Sequence, residues 1–304
     1  MNYYRFKTFR TSYYFPEIDS ESTFLYGIYH PYGSFLVKQY WKIFTSCKLI
    51  RLLSRISINK LPFPYQSIIR LCPSDSIISF NLGTPGEEQK ISMLGYIPCG
   101  GKSFFAKYTT KKRAKSLARN EISVLKELEK EKIAPTLLAA VESDEEVFFM
   151  TSRVDGQPYP SFELSPPIMD MLILLSTIKL KNNSANNHLK ICLSHGDFCP
   201  WNMLQNGKEV RLIDWEMGAN RPLGYDLFFF IIHARLVMGA DAKLIISLIE
   251  KNIDQILKYF SSLDISDYHP YLISFLSIRL KEEQEKGHTE MAVIYQNLLE
   301  TFLS

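Results

Sequence analysis

Between Ser76 and Thr109 the apolar residues come in short alternating runs, IISFNL, KISMLGYI and SFFAKYT, separated by the turn-forming GTPGEEQ and PCGGK. Runs of this length bounded by Gly and Pro predict a meander of three antiparallel strands. The spacing then lengthens. In KKRAKSLARNEISVLKELEKEK, Leu117, Ile122, Leu125 and Leu128 recur at helical intervals among good helix formers, which predicts one helix, ended by Pro135. A further strand, VFFMTS, runs into the Gly/Pro connector at Gly156 to Pro160, the expected boundary between two lobes. Beyond it helical spacing dominates, in IMDMLILLSTIKL, GYDLFFFIIHARLVM, KLIISLIEKNIDQILKYF, YLISFLSIRLKEEQEK and EMAVIYQNLLETFL. Only LSHGDFCPWNML and VRLIDWE interrupt with strand-like character, and NNSANN, residues 182–187, reads as a polar loop.

The expectation is an α+β chain: a basic, aromatic-rich N-terminal extension over 1–75, a small antiparallel-sheet lobe over 76–155, and a mainly helical lobe over 156–304. Ser22 to Ser74 contains no Asp or Glu but carries Lys38, Lys42, Lys48, Arg51, Arg55, Lys60 and Arg70. Within it Ser34 to Ile58 predicts one or two amphipathic helices, closed by the turn at Pro62 and Pro64. Three readings of this block stand side by side: an extra helical layer with solvated lysines, a cationic amphipathic surface for an anionic membrane, or a site for an anionic polymer. Nothing in it resembles a dedicated nucleic-acid module, so no specific nucleic acid is expected.

Composition narrows the class. A chain of 304 residues, 46% hydrophobic and 22% charged, with a net charge of +3, is globular rather than disordered and long enough for two cores. It has no apolar run long enough to span a bilayer, and its first residues lack a secretory pattern, so the cytoplasm is expected, with the inner face of a membrane as a peripheral location. The five cysteines (Cys47, Cys72, Cys99, Cys192, Cys199) are scattered without a CxxC pair, which argues against a disulfide framework or zinc site. Cys199 sits inside the HGDFCPWN loop, where a nucleophilic role is open but has no recognisable base His.

That loop carries the chemistry. Asp197 and Asn202 lie five positions apart, and RLIDWEMG then places a second acid, Asp214, at the end of an apolar strand. Mg²⁺ prefers hard oxygen ligands, which Asn202 and Asp214 can supply, leaving Asp197 free to accept a proton from an attacking hydroxyl. An amide beside a carboxylate binds metal without excess negative charge near a polyphosphate. Phosphoryl transfer asks for this division of labour, because the protein's task there is positioning and charge neutralisation.

HGDFCPWN followed by LIDWE resembles the signature of the aminoglycoside phosphotransferase and choline kinase family, whose members have a two-lobe protein-kinase-like fold. The resemblance runs from about Ile77 to the C-terminus and is strongest from Leu193 to Leu227. It implies ATP and Mg²⁺ as cofactors, Asp197 as catalytic base, and Asn202 and Asp214 as metal ligands. It also implies Lys107 of SFFAKYT on the nucleotide phosphates and Glu121, fourteen residues on, as its partner. Gly83 and Gly86 of GTPGEEQ would cover the phosphates, the backbone from Thr151 to Arg153 would meet the adenine, His195 would prop the loop, and Asp226 of GYDLFFF would brace it. Two departures are Trp201, where the family often has a small residue, and a covering turn with few glycines.

Competing readings remain beside this one. GYIPCGGKS comes near a phosphate-binding loop, but its spacing is off by one and a strand-like run follows Lys102 where a helix is needed; a hairpin turn is expected. Glu121 alone reads equally as an exposed helix charge paired with Lys126 or Lys130, and Asp226 as a helix N-terminal acid. Function is expected to be transfer of the γ-phosphate to a hydroxyl of a small molecule such as a sugar, an amino alcohol or a surface-saccharide unit. The segment from Gly156 to Ser194 shows no acid-rich cluster suited to a polycationic acceptor. Tyr225 follows Asp214 by only eleven residues, which leaves little room for peptide docking. The rival from another class is a non-catalytic, kinase-like nucleotide-binding or scaffold protein.

Overall fold

In the computed structural model, residues 2–8, 11–17, 35–181 and 188–304 are described. The polar loop expected at 182–187 and the part of the basic block before Phe35 lie outside them. The chain divides into two compact units, Met1–Ile122 with Thr136–Arg153, and Ser123–Pro135 with Val154–Ser304.

The first unit is built on one antiparallel sheet of eight strands. They are β1 (Asn2–Lys7), β2 (Ser12–Pro16), β3 (Arg55–Ser57), β4 (Ile77–Leu82), β5 (Ile91–Ile97), β6 (Lys102–Thr109), β7 (Leu137–Glu142) and β8 (Val147–Ser152), in the order β3-β1-β2-β4-β5-β6-β8-β7. The meander expected over 76–109 is β4-β5-β6, with Ile78, Phe80, Met93, Phe104, Ala106 and Tyr108 turned to one core. Gly95 and Phe104 pair across β5 and β6, and a Cβ on Gly95 would stand 2.0 Å from the Phe104 ring. Gly95 therefore belongs to a strand, and Pro98 to Gly101 turns directly into β6 with Gly101 at φ 61°. No helix follows Lys102, so the phosphate-loop alternative falls.

The N-terminal residues require a correction. They are not a separate extension: β2 pairs with β4, β1 with β2 and β3 with β1, all in the same sheet. The reason lies in period-two alternation on both faces of the β1–β2 hairpin. Tyr3 and Tyr14 face the core of β4 to β6, whereas Tyr4, Phe6, Tyr13 and Phe15 face the other way. Helices α1 (Phe35–Ser46) and α2 (Lys48–Leu53) accompany that second face, which Trp41 and Phe44 cover, and α3 (Tyr65–Leu71) packs Ile68 into the first. The second correction is β7. LLAAVE follows the Pro135 helix stop without an expected element of its own, yet it pairs with β8 through a bulge between Leu137 and Ala139. Helix α4 (Lys112–Glu127) ends before that segment.

The second unit opens with β9 (Gln157–Pro158), α5 (Pro166–Thr177) and β10 (Ile191–Ser194), followed by β11 (Met203–Asn206), β12 (Glu209–Leu212) and β13 (Ala219–Pro222). β10 pairs with β13, and β11 with both β12 and β9. The remainder is helical: α6 (Tyr225–Phe228), a π-helical turn (Phe229–His233), α7 (Ala234–Val237), α8 (Ala242–Lys251), α9 (Ile253–Ser261), α10 (His269–Glu285) and α11 (Thr289–Leu303). KLIISLIEKNIDQILKYF is two helices because Asn252 donates from its side chain to Leu248 O at 2.7 Å, stopping α8. The apolar run from Tyr225 to Ile232 is buried all round, which anchors the chain entering from β13.

Candidate active site

The strand β10 delivers the loop, and one carboxylate holds it. Asp226 accepts the Ser194 hydroxyl at 2.8 Å and the Gly196 amide at 3.1 Å on Oδ1, and the His195 amide at 2.6 Å on Oδ2. Three donors on one buried acid fix the backbone where the chain turns. Gly196 stands at φ 81°, and a Cβ there would lie 2.4 Å from Met217 O, so no other residue fits. The buried His195 ring accepts the Asp197 amide on Nδ1 at 3.3 Å, which leaves Nε2 to carry the proton and donate to Ile213 O at 2.9 Å. Its face rests on Trp215, whose Nε1 donates to Leu212 O. His195 thus ties the Asp197 loop to the segment that ends at Asp214.

Both oxygens of the Asp197 carboxylate have one donor. The Cys199 thiol reaches Oδ1 at 3.0 Å and Asn202 Nδ2 reaches Oδ2 at 2.8 Å, while the same Nδ2 donates to Asp197 O at 3.0 Å. Nδ2 makes both side-chain hydrogen bonds of Asn202 among the described residues, so Oδ1 is open to a ligand. The Asn202 carbonyl accepts the Ile213 amide at 2.9 Å, extending the β11–β12 pairing and setting Asn202 beside the residue before Asp214. Asp214 is left-handed, φ 68° and ψ 58°, a conformation unusual outside glycine and often retained at functional sites. Asp214 and Glu216 bring carboxylate oxygens within 4.8 Å of one another. An amide oxygen and two carboxylates are hard donors of the kind Mg²⁺ takes, so the residues fit that ion.

In the first unit Lys107 and Glu121 meet. Lys107 projects from the middle of β6, 7% exposed, and its Nζ lies 2.9 and 2.7 Å from the carboxylate oxygens of Glu121, 4% exposed, on α4. Glu121 is therefore a buried partner rather than an exposed helix charge. Gly83 follows β4, its amide donating to Lys90 O at 3.1 Å, and Gly86 lies in the same turn with open space where a Cβ would be. The turn is fastened at its far end by Thr109 Oγ1 to Gln89 O, 3.0 Å, and by the Ala114 amide to Glu87 O, 3.1 Å. Thr151 is buried in β8 opposite Phe105, and Arg153 ends this unit just after that strand.

Three features were not foreseen. Cys199 serves the loop as a donor, not a nucleophile: burial and the adjacent Asp197 push its thiol pKa far up, so the sulfur keeps its proton. Glu216, two residues after Asp214 in the DWE segment, joins it. Phe162 meets Trp201 edge-on with ring centroids at 6.3 Å, and Arg235 stacks on Phe162 at 4.7 Å. This aromatic and cationic group, one residue from Asn202, joins segments far apart in sequence.

A sheet-based unit followed by a largely helical one defines the class: the chain has an α+β protein-kinase-like fold. Residues 172–255 match the model of the phosphotransferase enzyme family, the group that the loop motifs of this chain resemble. The matched segment contains Asp197, Asn202, Asp214 and Asp226. No curated protein matches the chain. Among solved structures, aminoglycoside phosphotransferase APH(4)-Ia is similar at 14% identity and a TM-score of 0.52, covering 79% of this chain and 98% of that one. Its thermostable mutant in a ternary complex with AMP-PNP and hygromycin B gives 13%, 0.50, 78% and 96%. Amicoumacin kinase hAmiN in complex with AMP-PNP, Ca²⁺ and Ami gives 10%, 0.51, 79% and 94%. At these identities the likeness is one of fold.

Proposed function

We propose that the chain is a small-molecule kinase that transfers the γ-phosphoryl group of ATP to an acceptor hydroxyl with Mg²⁺. The observation that carries this reading is the Asp197 carboxylate, oriented by one donor on each oxygen while the Asn202 amide oxygen stays open. A carboxylate so held retains lone pairs to receive the hydroxyl proton. As the acceptor oxygen bonds to the γ-phosphorus, the bond to the β–γ bridging oxygen breaks, ADP leaves and the proton passes to Asp197. Asn202 and Asp214 hold the ion, with Glu216 as a further carboxylate, and Mg²⁺ when bound neutralises charge on the phosphates. Lys107 grips the non-transferred phosphates and Glu121 keeps it aligned. The turn with Gly83 and Gly86 covers them, and the backbone from Thr151 to Arg153 takes the adenine. Relatives of the same fold solved with AMP-PNP support the nucleotide.

The acceptor in this reading is a sugar, an amino alcohol or a saccharide unit rather than a polycation. Between Gly156 and Ser194 only Glu163 and Asp170 are acidic, and Arg235 on Phe162 adds positive charge near the loop. Trp201 packs against Phe162 and the Asp197–Asn202 bonds are intact beside it, which supports catalysis over a non-catalytic scaffold. Calorimetric titration of ATP tests the reading. Binding should require Mg²⁺ and weaken in Asp214→Asn; equal binding without the ion would overturn the metal assignment.

A further inference from the structure

We propose that the helical pair α1–α2 docks the chain on an anionic membrane surface. α1 turns Trp41 and Phe44 onto the β1–β2 hairpin, where their rings meet Phe6 with centroids at 4.9 and 5.2 Å. That contact uses only one side of the helix. Leu36, 76% exposed, and exposed Ile43, at i and i+7, form a second apolar stripe beside that contact, with Phe35 exposed at its start and the partly exposed Tyr40 ring stacked on Phe6 at 5.0 Å between the two. α2 repeats the arrangement, because Leu49, Leu52 and Leu53 are exposed and none of its residues is buried; Leu53 is 82% exposed. The Arg51 guanidinium locks the two helices together by donating to Phe44 O at 3.2 Å and Thr45 O at 2.5 Å.

Single exposed leucines are ordinary, but seven large apolar residues on two consecutive short helices mark an interaction surface. Charge selects the partner. Lys38, Lys42 and Lys48 are exposed around the stripes, and no Asp or Glu occurs from Ser22 to Ser74. A second copy of the chain would bring the same lysines and be repelled, whereas anionic headgroups take the ammonium groups as the leucines enter the acyl boundary. α1 is twelve residues long, and among the described residues no helix is long and apolar enough to cross a membrane. The pair therefore lies in the interface rather than spanning it.

Flotation of the full chain with vesicles tests this. At low salt it should rise with phosphatidylcholine vesicles containing phosphatidylglycerol, stay down with phosphatidylcholine alone, and detach as salt is raised. Each of Lys38→Gln, Lys42→Gln and Lys48→Gln should lower the partition coefficient about fivefold. Leu36→Gln with Leu53→Gln should abolish flotation at an unchanged melting temperature, since both side chains are exposed. No flotation with the anionic vesicles, equal flotation with neutral ones, or a concentration-dependent dimer removed by the leucine variants would overturn the proposal.

Discussion

The Asn202 side chain donates twice to a single residue, reaching the Asp197 carbonyl at 3.0 Å and its carboxylate at 2.8 Å. The pair aims one acid while leaving the Asn202 amide oxygen for a ligand. Asn202→Asp keeps the shape but removes the donor and sets two carboxylates against each other. We expect it to lower kcat by roughly 10²-fold or more, by misplacing the base, and to lower the Mg²⁺ concentration that half-saturates activity, because a carboxylate replaces a neutral amide oxygen at the ion. Steady-state kinetics against Mg²⁺ measures both; an unchanged Mg²⁺ requirement would remove Asn202 from the metal.

Cys199 holds the other oxygen of the same carboxylate. Cys199→Ala should cost about tenfold in kcat, the worth of one hydrogen bond to a charged group, with KM for ATP unchanged. Cys199→Ser restores a donor and should recover most of the loss. Because burial keeps the Cys199 thiol protonated, a thiol reagent should label exposed Cys99 in the folded protein and spare Cys199, as peptide mass mapping would show.

The Lys107–Glu121 pair is almost fully buried, so removing one partner strands a charge. Glu121→Gln should destabilise the chain by about 3–5 kcal/mol, read from urea unfolding. Adding Lys107→Met should recover much of that stability without recovering activity, which separates the structural cost from the role in phosphate binding.

Much of this was legible in the sequence because the signals are local. Alternation in IISFNL, KISMLGYI and SFFAKYT marks β4, β5 and β6, and the spacing of Asp197, Asn202 and Asp214 is fixed by one tight loop and one hairpin. What was missed depends on pairing at a distance. LLAAVE becomes β7 because β8 offers an edge, against the helical leaning of Leu and Ala. The aromatic alternation of β1 and β2 is as regular as that of β4, but β4, the strand they join, lies beyond the whole basic block, so no local pattern shows the pairing. The Phe162–Trp201–Arg235 group joins residues over seventy positions apart and leaves no mark in any window of sequence.

His233 gives the chain a pH dependence of its own. Buried beside Arg279 and bonded to Tyr295, it has its pKa pushed down to about 2 by burial first and the guanidinium second. Between pH 2 and its ordinary value near 6.5 the unfolded chain binds a proton that the folded chain does not, so stability falls as pH drops. From pH 7 to pH 5 this group should cost about 2 kcal/mol. Urea midpoints at both pH values, compared with His233→Gln, should show a shallower slope in the variant. Equal slopes would remove His233 as the cause.

The most direct test of the central claim is mass-spectrometric detection of phosphoryl transfer from ATP, with Mg²⁺, to a panel of sugars and amino alcohols. The wild-type chain should yield at least one phosphorylated acceptor, and Asp197→Ala should make it about 10²–10⁴ times more slowly while still binding ATP. Transfer that persists at the wild-type rate in Asp197→Ala, or nucleotide binding with no product from any hydroxyl acceptor, would contradict the account.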